Sequence, residues 1–448
     1  MDWLRSAAVE TPEAPALIAG ADVVPYADLD SAATAIAGAF SLSGVDVGSR
    51  VAVWGAPEPR TVAAIWGIWR AGAEPVILTP GLPAMHAARL VERAGVVVLW
   101  DRADDELGPP RPGGFVPECW GPPDAGSRLI VFTTGSRGDP KGVVITGAMV
   151  QASVEASRLR LGNGAEDRWL AALPLSHVAG MSILWRAARD GAPVVLERWF
   201  DAARAARLLA VGAVAYTSLV PTMLRRVLDA GPERYHPDVR GVLVGGGPVE
   251  ESLMARALDA GLPALATYGL TETVGQVATV APGEERASLG TVGRPLDGID
   301  VRVVGPDRLP VPGGAAGRIE VRGPTVTPGY LGEPARDAGE WFRTGDVGMF
   351  GDSGALSVLG RADDVIVTGG ENVHPAQVEA VVRSIPGVAD VRVYGEDDEE
   401  WGRVVVADLV VDPDGLGEVQ ARARAGLPGF MVPKRWRVVD RIERNWKG

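Results

Sequence analysis

Val131-Phe-Thr-Thr-Gly-Ser-Arg-Gly-Asp-Pro-Lys-Gly142 decides how this chain is read. The apolar run from Arg128 to Phe132 leads into it and predicts a buried strand. Thr133, Thr134, Gly135, Ser136 and Gly138 then set hydroxyls among glycines, with Arg137 between the last two. Glycine lets the backbone approach a ligand closely, and consecutive N–H groups beside hydroxyls form an anion-binding concavity. Lys141 adds a point charge. The familiar phosphate loop runs from Gly-x-x-x-x-Gly-Lys-Ser/Thr into a helix. Here the lysine follows a proline, and Val143-Val-Ile-Thr146 predicts a second strand, so the stretch is expected to be a loop between two strands. A Gly/Ser-rich surface turn would carry the same residues.

Composition bounds the answer. A chain of 448 residues can hold two or three domains with sizeable cores. A net charge of −13 argues against nucleic-acid binding as the main task. The single cysteine, Cys119, and four scattered histidines exclude an internal disulfide and argue against a structural zinc site. The N-terminus lacks a basic region followed by an apolar core, and no apolar run is long enough to span a membrane, so a cytoplasmic location is expected.

Working outward from the loop, apolar runs and helical periods alternate on both sides. Arg50–Trp54, Pro75–Leu78 and Val96–Trp100 read as strands, separated by helices over 61–71 and 82–94. An amphipathic helix runs through Tyr26, Leu29, Ala33, Ile36 and Phe40. Beyond the loop, strands are expected at 169–173, 193–196, 215–220, 242–244 and 264–267, with helices at 181–189, 202–209, 222–229 and 251–259. This rhythm predicts an α/β fold with doubly wound, mostly parallel sheets. From about 288 to 358 short strands between Gly/Pro-rich turns predict a β-rich, barrel-like subdomain. From Arg361 onward a compact α+β pattern predicts a small second domain, 361–448, after a large one, 1–360.

Three further stretches carry candidate chemistry. In Thr267-Tyr-Gly-Leu-Thr-Glu-Thr273, Thr271 and Glu272 offer the oxygen ligands magnesium prefers beside phosphates, and Tyr268 offers a face for stacking on a base. The same residues could simply start a helix. In Trp341-Phe-Arg-Thr-Gly-Asp-Val-Gly348, Asp346 can accept from both ribose hydroxyls, or it can stabilise a turn. Gly360-Arg-Ala-Asp-Asp-Val-Ile-Val-Thr-Gly-Gly-Glu-Asn-Val-His-Pro375 sets charges around a short strand and a glycine pair, as an ordinary hairpin also would.

Taken in order, these motifs resemble those of the adenylate-forming superfamily of AMP-binding enzymes, and the resemblance covers essentially the whole chain. Within it the chain is most similar to the o-succinylbenzoate–CoA ligases and to benzoate-type CoA ligases. The stretches carrying this are Leu173–Arg186, Ser218–Arg226, Val244–Pro248 and Tyr268–Thr279, and Gly369-Gly-Glu-Asn-Val-His-Pro375 for the benzoate type. The resemblance implies an enzyme that uses MgATP to turn a carboxylic acid into an acyl-adenylate. The enzyme then rotates a small mobile C-terminal domain and passes the acyl group to coenzyme A, releasing AMP. It implies that Thr133, Thr134, Gly135, Ser136, Arg137, Gly138 and Lys141 hold the phosphates, with Glu272 and Thr271 at the magnesium. Gly245, Gly246, Gly247, Tyr268 and Gly269 would surround the adenine, Asp346 and Arg361 the ribose, and Gly369 and Gly370 the pantetheine arm. His177 would stand at the mouth of the acyl pocket, Gln276 and Arg226 would meet the acid, and Asp363 would be the hinge. A second acidic group on the substrate calls for a cation, for which Arg186, Arg225 and Arg226 are candidates. No membrane or nucleic-acid partner is implied, and a homodimer is compatible with the family.

Two departures stand out. The superfamily has threonine where this chain has Arg137, and it ends its small domain in Pro-Arg-Asn-x-x-Gly-Lys, where this sequence reads Glu443-Arg-Asn-Trp-Lys-Gly448. Either that lysine lies beyond the end of this sequence, or Lys447 is a candidate to replace it from two positions earlier. A ligase that only forms thioesters from a ready-made adenylate, and a non-catalytic acyl- or nucleotide-binding member, are the alternatives that follow.

Overall fold

The computed structural model describes residues 2–100, 128–134, 140–337, 339–398 and 400–442. The chain opens with α1 (Trp3–Glu10), a hairpin of β1 (Pro15–Ala19) and β2 (Asp22–Pro25), and α2 (Tyr26–Leu42). Then come β3 (Arg50–Trp54), α3 (Pro59–Arg70), β4 (Glu74–Leu78), α4 (Ala84–Ala94), β5 (Val96–Trp100), β6 (Arg128–Thr134) and β7 (Pro140–Thr146). These strands form one sheet in the order β5-β3-β4-β6-β7, parallel except for β7, which returns antiparallel to β6. The two strands expected on either side of the glycine-rich stretch are therefore β6 and β7, paired as far as Thr134 opposite Pro140.

Next come α5 (Gly147–Leu161), β8 (Trp169–Ala171), α6 (Val178–Asp190), β9 (Val194–Leu196), α7 (Ala202–Ala210) and β10 (Tyr216–Leu219). They are followed by α8 (Pro221–Ala230), β11 (Gly241–Val244), α9 (Glu251–Asp259), β12 (Ala264–Leu270), β13 (Gly275–Thr279) and β14 (Arg294–Pro295). The second sheet runs β14-β13-β12-β11-β10-β8-β9-β1-β2. It is parallel from β12 to β1 and closed by antiparallel strands at both ends. Such near-continuous Val/Leu/Ala strands are what a sheet covered on both faces requires. Helix α3 is buried along nearly its whole length. It packs on β3 and β4, and its Trp69 stacks on Trp185 of α6 with ring centroids 6.2 Å apart, so the two sheets share one core.

The β-rich region is a four-stranded antiparallel sheet of β15 (Asp300–Val304), β16 (Gly317–Arg322), β17 (Phe342–Phe350) and β18 (Leu356–Arg361). Its core includes Tyr268 and Val277 of the preceding sheet. The last region has β19 (Ile366–Thr368), β20 (Glu371–Val373), α10 (Pro375–Arg383), β21 (Asp390–Asp398), β22 (Gly402–Val410), α11 (Leu416–Gly426) and β23 (Arg435–Val438). Its core, built on Ile366, Val378, Val391, Val405 and Leu409, shares no residue with the others.

The sequence reading left out α1, the β1–β2 hairpin, α5, β13, α11 and β23. The missed strands are held by their neighbours rather than by their own period: β13 pairs with β12 and β14. The strand expected over 169–173 stops at Ala171, because residues 172–177 turn away to feed α6. In the small domain β21 is paired with β22 along its whole length, Asp390 to Asp398.

Candidate active site

The carboxyl ends of the parallel strands are where ligands sit in such sheets, and the candidate residues converge there from three regions. Tyr268 lies in β12, buried, and its hydroxyl donates to Asp346 Oδ2 at 2.6 Å. Asp346 stands in β17 directly opposite Arg361 of β18, whose Nη1 is 3.3 Å from Oδ1. Its backbone N–H donates to Thr344 Oγ1, which fixes the turn of the chain at Gly345. Gly345 has a φ of 79°, and a Cβ there would press against the Arg361 guanidinium. Burial pushes the Asp346 carboxyl up, against the Tyr268 and Arg361 contacts that pull it down. Burial first, and then the Asp346 charge, hold the Tyr268 phenol well above its usual range, so it stays a donor.

Beyond β12 the chain makes a single 3-10 turn, Thr271–Thr273, in place of a helix. Thr273 Oγ1 accepts from Leu270 N and donates to Gly275 O, so the turn folds tightly back into β13. Gly269 makes this possible, since a Cβ there would overlap the Gly275 carbonyl. Val274 takes a φ of 54° although it is β-branched and fully buried, a conformation costing about 1–3 kcal/mol. Glu272 lies in the strained turn, and Gln276 follows it in β13. Glu272 Oε1 accepts from the Tyr330 hydroxyl at 2.9 Å. Lys141 Nζ sits 4.3 Å from the Tyr330 ring centroid and 3.3 Å from Glu333 Oε1.

The third group surrounds α6. Arg186 is fully buried; its Nη2 donates to Gln276 Oε1 at 2.7 Å and its guanidinium lies 5.5 Å from the Trp169 ring centroid. Its Nε has no hydrogen-bond partner, and no carboxylate among the described residues pairs with it. Burial alone pulls its pKa down to about 10, which still leaves a cation at neutral pH. Ser182, one helical turn earlier, also has a buried hydroxyl without a partner. His177 is the N-cap residue of α6 and is exposed. Arg226 is exposed on α8, and Arg225 is paired with Glu250 at 2.8 Å. Gly245–Gly247 follow β11, and a Cβ on Gly245 would meet the Thr267 carbonyl.

Gly369 and Gly370 form the exposed turn of the β19–β20 hairpin, with Trp401 lying against Gly369. Asp363 is exposed in the turn between β18 and β19. Gly135, Ser136, Arg137, Gly138 and Lys447 lie outside the described residues, as does Cys119. Among the described residues no group of three or more His, Cys, Asp or Glu could hold a metal alone. A lone, half-buried carboxylate next to hydroxyls fits magnesium that arrives with a triphosphate, which keeps its waters and takes few protein ligands. Sequence reasoning missed Tyr330. Pro328-Gly329-Tyr330 reads as an ordinary turn, and nothing in its spacing points to Glu272, 58 residues away. It weighed Arg186 but favoured Arg226, because burial along α6 is invisible in the residue type.

An α/β core with these side chains grouped at its strand ends, followed by a small α+β domain, defines a class. The chain belongs to the AMP-binding enzyme family: that family's profile matches residues 4–113 and 117–331, and the profile of the AMP-binding enzyme C-terminal domain matches residues 377–448. Among its relatives, the 2-succinylbenzoate–CoA ligase of Bacillus licheniformis is 35% identical, covering 99% of this chain and 97% of the relative. The fold is that of the o-succinylbenzoate CoA synthetase of Bacillus subtilis solved with its acyl-adenylate intermediate, with a TM-score of 0.90 at 30% identity over 99% of this chain and 95% of that one. The same enzyme with ATP and magnesium gives 0.90 at 30% identity over 99% and 97%.

Proposed function

We propose that this chain is an acid–CoA ligase acting on 2-succinylbenzoate. One carboxylate oxygen of the acid attacks the α-phosphorus of ATP, and the bond to pyrophosphate breaks. The thiol sulfur of coenzyme A, having given up its proton, then attacks the acyl carbon, and AMP departs. The observation that carries the substrate assignment is Arg186. A fully buried guanidinium with no carboxylate partner among the described residues is costly. It becomes favourable when a substrate brings a second carboxylate to it, and a guanidinium matches that group bidentately. Gln276 fixes its orientation, and the full-length similarity to 2-succinylbenzoate–CoA ligases supports an acid with two carboxylates.

The other residues take roles that follow from their places. Asp346, flanked by Tyr268 and Arg361, binds the ribose hydroxyls, and Tyr268 and Gly245–Gly247 border the base. Thr133 and Lys141 frame the phosphates. Glu272 and Thr271 would hold magnesium, which supplies charge neutralisation on the departing pyrophosphate. His177 stands at the entrance of the acid pocket, at the start of the helix that bears Arg186. The large domain, 1–360, carries these groups apart from Arg361 at the boundary, and the small domain, 361–448, brings Gly369 and Gly370 to the thiol arm by turning about Asp363. No helix among the described residues is long and apolar enough to cross a membrane. With a single cysteine, a cytoplasmic setting suits the reaction, and size-exclusion chromatography with light scattering decides whether the chain works as a homodimer.

The test is acid-dependent exchange of labelled pyrophosphate into ATP across a panel of 2-succinylbenzoate, benzoate and medium-chain fatty acids, followed by thioester formation on adding coenzyme A. Exchange and thioester with 2-succinylbenzoate alone are expected. Exchange with a monocarboxylate in preference to it sinks the substrate assignment. Thioester formation from a synthetic adenylate without any exchange means that the chain performs only the second half-reaction.

A further inference from the structure

Tyr330 belongs to none of the motifs that drew attention in the sequence, yet it touches two of them. Its loop is laced on both sides. Thr327 N donates to Glu272 O at 2.8 Å, Thr327 Oγ1 donates to Val144 O at 2.7 Å, and Leu331 N donates to Gly142 O at 2.7 Å. Tyr330 itself forms an isolated bridge with Val143 of β7. The backbone is thus fixed to the strand that follows the β6–β7 loop and to the turn bearing Glu272. From this anchorage the phenol reaches Glu272 Oε1 at 2.9 Å, and the ring carries the Lys141 ammonium 4.3 Å from its centroid.

We propose that Tyr330 is a positioning residue for nucleotide activation: its hydroxyl fixes Glu272 so that the second carboxylate oxygen is presented to magnesium, and its ring keeps Lys141 beside the same phosphates. This rests on the ligase reading above. The physical need is specific. Magnesium demands near-octahedral geometry at short range, and here one glutamate on a one-turn 3-10 segment must meet it. No other side chain among the described residues hydrogen-bonds to that carboxylate. A glutamate side chain has three rotatable bonds, and a charge-assisted bond to one oxygen removes most of that freedom. Partners of metal ligands commonly change affinity or activity 10–100-fold when removed.

Tyr330→Phe deletes one oxygen and keeps the ring, so the loop and the Lys141 contact stay. Binding of ATP and of AMP is titrated by calorimetry at a series of Mg²⁺ concentrations, alongside thioester formation from synthetic acyl-adenylate. The expected result is a rise of about tenfold in the Mg²⁺ concentration needed for half-maximal ATP affinity. AMP affinity without Mg²⁺ and the thioester half-reaction should be unchanged. In a Glu272→Gln background Tyr330→Phe should add nothing further. Tyr330→Leu should additionally weaken ATP, but not AMP, by freeing Lys141. An unchanged Mg²⁺ dependence in Tyr330→Phe overturns the inference while leaving the ligase reading intact. The same loss in the Glu272→Gln background, or an equal loss of AMP affinity, also overturns it and assigns Tyr330 to loop packing. Absence of Mg²⁺-dependent ATP binding in the unaltered chain overturns both.

Discussion

Glu250, in the loop before α9, accepts a hydrogen bond from Arg383 of α10 at 2.9 Å, and its other oxygen accepts from Arg225 of α8 at 2.8 Å. One carboxylate of the large domain is thereby shared between a helix of that domain and a helix of the small one. The Glu250 and Arg383 side chains are only 10% and 14% exposed, so the pair is weakly screened. Arg383 keeps Asp390 and the Val391 carbonyl if Glu250 is lost, so the small domain retains its own support. Glu250→Ala should therefore loosen docking rather than folding, by about 1–2 kcal/mol, which is roughly a 5–30-fold larger open population. Limited proteolysis at the exposed turn 361–364 reads this directly when opening is fast relative to cleavage. Equal cleavage rates in the two proteins would rule out a docking role for the pair.

Arg186 makes a sharper prediction. Arg186→Met keeps volume and apolar packing on Trp169 but removes the charge. The kcat/KM for 2-succinylbenzoate should fall by 100-fold or more, about 2.7 kcal/mol. Exchange with a monocarboxylate analogue lacking the second acid group should change little or improve. Parallel losses for both acids would show that Arg186 supports the fold around α6 instead of reading the substrate.

Most of the large domain was legible because its strands are apolar runs set between helical periods, and tertiary packing agreed with both. Helix α9 has the expected bounds of Glu251–Asp259. The strands on either side of the glycine-rich stretch were legible because Pro140 and Lys141 precede another apolar run. The contacts that make a site of these pieces were not legible. Tyr268 meets Asp346 across 78 residues and Tyr330 meets Glu272 across 58. No local period records such a meeting. Arg186 and Arg226 are the same residue type on two helices, and only the fold buries one and exposes the other.

Asp346 predicts a pH dependence. Its carboxyl is raised chiefly by burial, so it takes up its proton above the ordinary aspartate value of about 3.9. Recognition of two ribose hydroxyls needs the ionised acceptor, which is present above the folded pKa and lost as pH falls through it. AMP affinity should thus weaken on acidification from neutrality, starting at a higher pH than for an ordinary aspartate. Asp346→Asn should bind AMP more weakly at pH 7 and give a flatter profile. The same shift makes the folded state the better proton binder at this group, so protonation of Asp346 favours folding as pH falls. Superimposable profiles for the two proteins would remove Asp346 from ribose recognition.

The N-terminal segment is held by one cation. Arg70 of α3 is 3% exposed at its side chain and spends all five of its N–H donors. Nε and Nη2 donate to the two oxygens of Asp2 at 2.7 and 3.2 Å; Nη2 also donates to Asp30 Oδ1 at 2.5 Å. Nη1 donates to the Asp30 carbonyl at 3.0 Å and to Thr34 Oγ1 at 2.9 Å. Asp2 also caps α1, accepting from Arg5 N at 3.1 Å. The guanidinium therefore ties α1 and α2 to the helix at the centre of the core. Removing it strands two acidic groups, and Arg5 compensates only at Asp30, from a half-exposed position. Arg70→Met should cost about 3–5 kcal/mol, read as a lower denaturant midpoint for the large domain, whereas Arg70→Met combined with Asp2→Asn and Asp30→Asn should recover part of that loss. A single substitution costing less than about 1 kcal/mol, the range of an exposed pair, would show that the network is dispensable and that apolar packing of α1 and α2 alone holds the segment.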